Sequence, residues 1–403
     1  MSLILSLRLL RRLLSTLGMS LLWLGAAWGS VDNVSYLGGF PASTPSGLTQ
    51  ATLVMNGANR DLLIYRPAGG AASLLILFSG TGGTLASNIA DDLGRDTLRN
   101  FADRENVIVA VPMPRVMSVG DWDNHSAGTP YWETATGEDT ASPASTNPDT
   151  NPDLLFTRAI IKEASAAYGA DLSRVYVNGF SNGAFFSYFV AATLSNRIAA
   201  FAETGGGLAL SRTTAGEPVP CAPHATPAAY GEVRGCASAG WSPGMCSTPG
   251  AMARPVAPSA VVRVPPGFLE ANDDDDSVAF AHTCNLAQAL PISPAYQVRI
   301  VHIGNGHGIN GDYFENSWNF MKNYRLTDSD RIFNWAEATY PTLLSPASPV
   351  SQIIFGYYYR YYSNTGNYIG TKDGRGYHLL QGGDITDAGS VADFLGLVGA
   401  GGF

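Results

Sequence analysis

The chain has 403 residues, 45% hydrophobic and only 14% charged, with a formal net charge of −9. That length is enough to bury a full-sized core and leaves room for a smaller second unit. The acidic balance and the lack of a basic stripe argue against nucleic acid as a partner. Low charge with many Gly, Ser, Thr and Tyr suits an exported protein better than a cytosolic one.

Residues 1–29 read as a signal peptide. Arg8, Arg11 and Arg12 precede the apolar run Leu13 to Ala27, and Ala27 and Gly29 are small residues at the two positions a signal peptidase reads. The competing reading is a retained anchor. The run, however, is shorter than the roughly 20 residues a span needs, and Ser and Thr interrupt it. Cleavage is expected, giving a secreted chain (extracellular or periplasmic) with no stable membrane association, and a monomer. Four cysteines, Cys221, Cys236, Cys246 and Cys284, suggest two disulfides, with three pairings open. The absence of C-x-x-C argues against zinc, and no metal is expected.

Residues 31–46 form a Gly/Pro/Ser-rich lead-in. Ala51 to Met55 and Arg60 to Tyr65, separated by Asn56-Gly57, predict a β-hairpin. Ser73 to Phe78 has buried-strand length and ends in the flexible turn Ser79-Gly-Thr-Gly-Gly83. The stretch from Leu85 to Glu105 is mostly helical, and Val107 to Val111 is the next strand. Leu154 to Tyr168 carries apolar residues at helical spacing. Ile198 to Glu203 is a further strand, ending in Gly205-Gly-Gly207. Strands alternating with helices predict a mostly parallel sheet with helices on both faces. Two segments interrupt the alternation: the polar, Pro/Thr-rich residues 117–153, with Trp122 and Trp132, and the Pro/Gly/Cys-rich residues 208–259. Both look too irregular for core elements. Long structured loops of this kind are often functional, near the strand ends where such folds bind ligands. Beyond about Leu326 the composition turns Tyr-rich, as in Phe355 to Tyr362 and Asn367 to Gly370, and predicts a helix at 333–337 followed by a small β-meander. Its tyrosines read either as a polymer-binding face or, more simply, as β-propensity.

The most informative stretch is Arg174 to Ala184. The β-branched and aromatic run Val175-Tyr-Val177 leads into Gly179-Phe-Ser-Asn-Gly183, and an apolar helix-like run follows to Thr193. With 45 glycines in the chain, G-x-S-x-G can arise by chance; a strand before it and a helix after it argue for the nucleophile elbow of α/β-hydrolases. Gly179 and Gly183 would remove collisions around a serine in a strained conformation.

A serine hydroxyl needs a base within hydrogen-bond reach, and the base needs an acid to hold its tautomer. In this fold the chain order is Ser, acid, His. His307, in Gly304-Asn-Gly-His-Gly308 after the run Val298 to Ile303, is the expected base. His302 lies inside that run, His282 on a helix after the acidic turn, and His378 in the C-terminal module. His125 and His224 precede the acid. The acid should come from Asn272-Asp-Asp-Asp-Asp276, where repulsion lets at most one or two carboxylates point inward. Asp275 is the choice, with Val278 anchoring the next helix, and Asp273 the runner-up. A calcium site is not predicted, because the spaced D-x-D-x-D-G pattern is missing. The oxyanion formed on attack needs two fixed N–H donors. These are expected from the backbone of Asn182 and from Thr81, with Gly82 as the alternative to Thr81. Trp122, Trp132 and Gly82 are expected to touch substrate.

Arg174 to Gly183 resembles the R-V-Y-V-x-G-x-S-N-G box of secreted polyhydroxybutyrate-depolymerase-like esterases, a group that also contains feruloyl and acetylxylan esterases. Leu77 to Gly83 is similar to that group's L-H-G-x-G-G turn, Asp275-x-x-Val278 to its D-x-x-V, and Gly306-His307 to its G-H. The resemblance covers about Thr49 to Tyr324. It implies an α/β-hydrolase fold and a Ser-His-Asp esterase without cofactor, acting on polyesters or carbohydrate-linked esters. Ser79 stands where the group has a histidine, and the tryptophan common after the catalytic histidine is missing, since Gly308-Ile-Asn-Gly follows. The expected organisation is therefore a leader (1–29), a catalytic domain (30–327) and a C-terminal accessory module (328–403). The first functional expectation is a polyester depolymerase of the poly(3-hydroxybutyrate) type. The alternatives are an esterase on soluble plant-derived esters and an inactive binding protein that keeps the fold.

Overall fold

The structure, a computed structural model, describes residues 34–41, 47–69, 72–116, 128–133, 150–207, 229–242, 264–290, 293–304, 306–327, 329–330, 332–333, 344, 349–354, 357–362, 366–372, 375–381 and 384–390. The leader expected at 1–29 therefore lies outside the described residues. Among the described residues, no helix is long and apolar enough to cross a membrane.

Chain order begins with β1 (Leu37–Gly39), β2 (Thr49–Met55) and β3 (Ala58–Tyr65). Asn56 and Gly57 both take positive φ, 50° and 80°, as a two-residue hairpin with native twist requires. Next come β4 (Ser73–Phe78), α1 (Ile89–Asp92), α2 (Arg95–Glu105) and β5 (Val107–Pro112). The stretch expected to be mostly helical is thus two helices, broken at Gly94 with φ 80°. The short pair β6 (Arg115–Val116) and β7 (Pro130–Tyr131) precedes α3 (Pro152–Tyr168), β8 (Val175–Phe180), α4 (Asn182–Thr193) and β9 (Ala200–Thr204). Then follow β10 (Val233–Arg234), β11 (Gly267–Asn272), α5 (Ala281–Ala289), β12 (Tyr296–Val301) and α6 (Tyr313–Met321).

The main sheet runs β1-β2-β3-β5-β4-β8-β9-β11-β12-β10. From β5 to β12 neighbouring strands are parallel, and β3 is antiparallel to both of its neighbours. The period-2 side-chain alternation divides the core. Leu74, Ile76 and Phe78 of β4 face one cluster with Phe156 and Ile160 of α3 and Phe186 and Phe189 of α4. Leu75 and Leu77 face the other, with Phe101 of α2 and Phe314 and Trp318 of α6. Covered on both sides, β4 and β5 are buried along their whole length and β8 along all but its last residue, and β4 and β5 read as mainly apolar runs. Parallel β4, β8, β9, β11 and β12 end at one edge of the sheet, so the loops after them converge there.

One expectation needs correcting here. The insertion at 208–259 is not wholly outside the core sheet, because Val233–Arg234 pairs antiparallel with β12 and closes that edge. Cys236, just beyond it, is disulfide-bonded to Cys284 of α5; Cys221 and Cys246 lie outside the described residues. The C-terminal meander is a five-stranded antiparallel sheet in chain order: β13 (Pro349–Ile354), β14 (Tyr357–Tyr362), β15 (Asn367–Lys372), β16 (Arg375–Gln381) and β17 (Asp384–Ser390). It buries one face: Arg360, Tyr362, Ile369 and Thr371 are covered, and the Thr371 hydroxyl donates to Ser329 Oγ (2.6 Å). Tyr361, on the opposite face, is exposed. The helix expected at 333–337 falls largely outside the described residues.

Two consequences for stability follow. The disulfide closes a loop of 48 residues, and cross-links of this size stabilise by about 2–4 kcal/mol, chiefly through the unfolded chain. Replacing Cys236 and Cys284 together by serine should lower the urea midpoint by that amount in free energy; an unchanged midpoint would refute the estimate. The second concerns Glu203 on β9, which is fully buried and pushed up to about 8 by desolvation. Between the ordinary carboxylate value of 4.5 and about 8 the folded chain holds a proton that the unfolded chain releases, so this group makes stability fall as pH rises through that window. Glu270 on β11, pushed up to about 7, acts in the same direction. His282, lowered from 6.5 to about 4 by desolvation, acts oppositely below about pH 6.5. Above that pH, Glu203→Gln should flatten the decline of the unfolding free energy up to about pH 8. Equal slopes in variant and wild type would mean that Glu203 is already ionised in the fold.

Candidate active site

Ser181 sits between β8 and α4 with φ 56° and ψ −126°, a region that a residue with a β-carbon rarely occupies. The strain, of order 1–3 kcal/mol, is held in place by packing and hydrogen bonds. Ser181 N–H donates to Thr204 O (3.1 Å), and Ser181 O accepts from Ala184 N (2.8 Å) and Phe185 N (3.2 Å). The flanking glycines are required sterically. A β-carbon at Gly179 would lie 2.1 Å from Gly183 O, and one at Gly183 would lie 2.2 Å from Phe78 O.

Three of the sequence candidates meet in one chain of hydrogen bonds. His307 Nε2 is 2.9 Å from Ser181 Oγ, and His307 Nδ1 is 2.7 Å from Asp275 Oδ2. The other oxygen of Asp275 accepts from the N–H groups of Ser277 (2.9 Å) and Val278 (2.7 Å), so the buried carboxylate has no rotational freedom. An ionised carboxylate only accepts, which places the proton on Nδ1 and leaves the Nε2 lone pair facing the serine hydroxyl. The Phe180 ring stacks on the imidazole at 4.8 Å and 28°. A β-carbon at Gly205 would come within 3.4 Å of His307 Cε1.

The aspartate run divides its members by direction. Asp273 and Asp275 point inward and Asp276 is exposed. Asp273, the runner-up acid, binds His302 Nδ1 through Oδ1 (2.7 Å) and Arg234 through Oδ2. His302 is thus just past the end of β12 rather than within the strand, and it is engaged 29 residues back along the chain. Asp274 accepts from Gly306 N–H (3.1 Å), and Asn272 Nδ2 donates to Gly306 O (3.0 Å) and Gly308 O (2.7 Å). The loops after β11 and β12 are therefore laced at four successive positions. Asp273, Asp274 and His302 have the donor types of a metal site, but the Arg234 guanidinium already supplies positive charge to Asp273.

On the oxyanion side, Asn182 opens α4, where the first N–H groups have no partner within the helix. Thr81 lies in the turn after β4, and a β-carbon at Gly80 would be only 3.0 Å from Ser181 Cβ, so that turn abuts the serine. Gly82 is not a second donor: its N–H is bonded to Pro130 O (2.8 Å). Its α-carbon does face open space, with φ 82°. Trp132 does not line the cleft as expected. Its ring is fully buried, stacked on Phe186 (4.9 Å, 7°) and edge-on to Phe78 (5.2 Å, 75°). Trp122 lies outside the described residues.

Sequence reasoning missed three participants. Arg234 comes from a segment read as irregular. Asn272 had a signal, an amide at the end of a buried strand, that went unused. The Asn182 side chain was credited only with its backbone; its Oδ1 accepts from Trp132 N (2.7 Å) and its Nδ2 donates to Trp132 O (3.2 Å). Ser79 ties the turn after β4 to its surroundings: its Oγ accepts from Ile89 N (3.1 Å) and its O from Trp132 Nε1 (2.8 Å).

No protein-family model matches the chain. The bifunctional acetylxylan esterase/xylanase XynS20E of Neocallimastix patriciarum is 27% identical over 164 residues, 41% of this chain; the match spans 20% of that relative's length. Among solved structures, a thermostable esterase aligns with a TM-score of 0.43 and 13% identity over 69% of this chain and 63% of that one. The acetyl xylan esterase from Aspergillus awamori gives 0.43 and 17% over 68% and 99%. An S-formylglutathione hydrolase from Agrobacterium tumefaciens gives 0.42 and 14% over 72% and 95%. The fold itself is settled by this chain's own geometry. A parallel sheet with an antiparallel second major strand, a serine on a strained strand-to-helix turn, and acid and histidine following in that order together make the α/β-hydrolase fold.

Proposed function

We propose that this protein is a carboxylic ester hydrolase that works through an acyl-enzyme on Ser181. The observation that carries the reading is the continuous Ser181–His307–Asp275 hydrogen-bond chain at a strained elbow. His307 Nε2 takes the hydroxyl proton as Ser181 Oγ attacks the ester carbonyl carbon. Asp275 stabilises the imidazolium that results. The carbonyl oxygen becomes an oxyanion facing the N–H groups of Asn182 and Thr81. The tetrahedral adduct collapses, the C–O bond to the alcohol breaks, and the leaving alkoxide takes the proton from Nε2. Water then repeats the sequence on the acyl-enzyme, giving the carboxylic acid and free Ser181. No cofactor takes part in these steps.

For the substrate we favour an insoluble polyester of the poly(3-hydroxybutyrate) type, met outside the cytoplasm after cleavage of the leader. The support is the elbow box and the exported character of the sequence. A second reading, deacetylation or deferuloylation of plant carbohydrate, is supported by the partial match to an acetylxylan esterase/xylanase.

Ser181→Ala should lower turnover of p-nitrophenyl acetate by about 10⁴-fold or more, with folding unaffected, and Asp275→Asn should lose a comparable factor through the wrong imidazole tautomer. Retained turnover in Ser181→Ala would remove the mechanism. Clearing of a poly(3-hydroxybutyrate) suspension, set against release of acetate from acetylated xylan or of ferulate, decides between the substrates. Release of acetate or ferulate without clearing would overturn the polyester assignment.

A further inference from the structure

Trp132 touches both sides of the expected oxyanion site at once. Its backbone is gripped by the Asn182 side-chain amide, through N–H to Oδ1 (2.7 Å) and O to Nδ2 (3.2 Å). Its indole Nε1–H donates to Ser79 O (2.8 Å), two residues before Thr81. Two residues upstream, Pro130 O holds the N–H of Gly82, the residue after Thr81 (2.8 Å). The segment from 130 to 132 therefore holds the β4 turn on both sides of Thr81 and leaves the Thr81 N–H without a protein acceptor among the described residues. The ring cannot shift to accommodate a change, being wedged between Phe186 and Phe78. The next residue is fixed as well: Glu133 N–H donates to Asp153 Oδ2 (2.9 Å), and the other oxygen of Asp153 pairs with Arg60 (2.7 Å).

From this geometry we propose that Trp132 is a positioning residue that sets the distance between the two oxyanion donors, Asn182 N–H and Thr81 N–H. The proposal rests on the esterase reading above. The two donors belong to different elements, the start of α4 and the turn after β4, and among the described residues no backbone hydrogen bond joins those elements directly at this point. Trp132 couples them through one rigid side chain and one amide clip. An indole suits the task because it combines the ring volume with a donor at its far edge. Donors stabilise an oxyanion only when they sit about 3 Å from where the charge develops, and that interaction is stronger in the transition state than in the bound ester.

The test uses the full chain with p-nitrophenyl acetate, with rates expressed per Ser181 titrated by an organophosphate so that misfolded protein does not count. Trp132→Phe keeps the ring and removes the indole donor. The expected result is a fall in kcat of about 10- to 100-fold with KM within about threefold, and a loss of the same factor in affinity for a trifluoromethyl ketone, which forms a tetrahedral adduct with serine. A merely structural role would lower the active-site titre without that split. Asn182→Ala, which keeps the backbone N–H and removes the clip, should show the same pattern and decides the matter if Trp132→Phe does not fold. Wild-type kcat and ketone affinity per titrated site, in whichever of the two variants folds, overturn the proposal. Ser181→Ala run alongside separates the claims: activity abolished there but kept in Trp132→Phe refutes the positioning role alone, whereas activity kept in Ser181→Ala refutes the esterase mechanism.

Discussion

The start of α4 is pressed so closely against β4 and β8 that no β-carbon fits at either flank of the serine. Gly183 would place one 2.2 Å from Phe78 O, and Gly179 one 2.1 Å from Gly183 O. That contact forces the chain to reverse within a single residue, and Ser181 takes the positive φ that results. Its hydroxyl then stands clear of both strand and helix at the edge where the parallel strands end. Every other element of the site is placed relative to this one turn. The adjacent turn after β4 lies against Ser181 Cβ, and the stretch from 130 to 132 packs behind it.

The histidine side is built on a different principle. Neither loop carrying Asp275 or His307 has regular structure, and His307 must hold its ring within hydrogen-bond reach of two partners. The solution is lacing between the loops. Asn272, Asp273, Asp274 and Asp275 each bond to the segment 302–308. Four adjacent carboxylates would repel one another if left unpaired. Here Asp273 receives Arg234 from the edge strand β10, Asp274 a backbone N–H, and Asp275 an imidazole and two N–H groups, while Asp276 is exposed. The disulfide between Cys236 and Cys284 ties the segment that supplies Arg234 to the helix following the acid loop.

Two buried carboxyls beneath the site are shifted toward their neutral forms by burial. Desolvation holds Glu203 protonated at neutral pH, with the Thr283 hydroxyl and the Gly206 N–H facing it. Glu270 is also raised, with Arg299 Nη1 at 3.0 Å working against the shift. Both lie on the strands whose carboxyl ends carry the loops of the site.

Local sequence was enough to reveal the alternation of strands and helices, the elbow with its two glycines, and the order in which serine, acid and histidine follow along the chain. Each of these is set by short-range sterics, by side-chain periodicity or by chain order, all of which can be read along a single strand of text. Which of the two inward-pointing aspartates meets His307 was decided by the tertiary structure, because it depends on the distance from Asp275 to an imidazole 32 residues away. The same holds for Trp132. An aromatic residue in a polar, Pro-rich stretch reads as an exposed contact for ligand, yet it is buried because Phe78 and Phe186, far off in the chain, close around it and Ser79 O accepts its N–H. Sequence determined the machinery's parts and their order; only the three-dimensional packing decided which polar groups face one another, since a buried hydrogen bond is fixed by distances that no local pattern encodes.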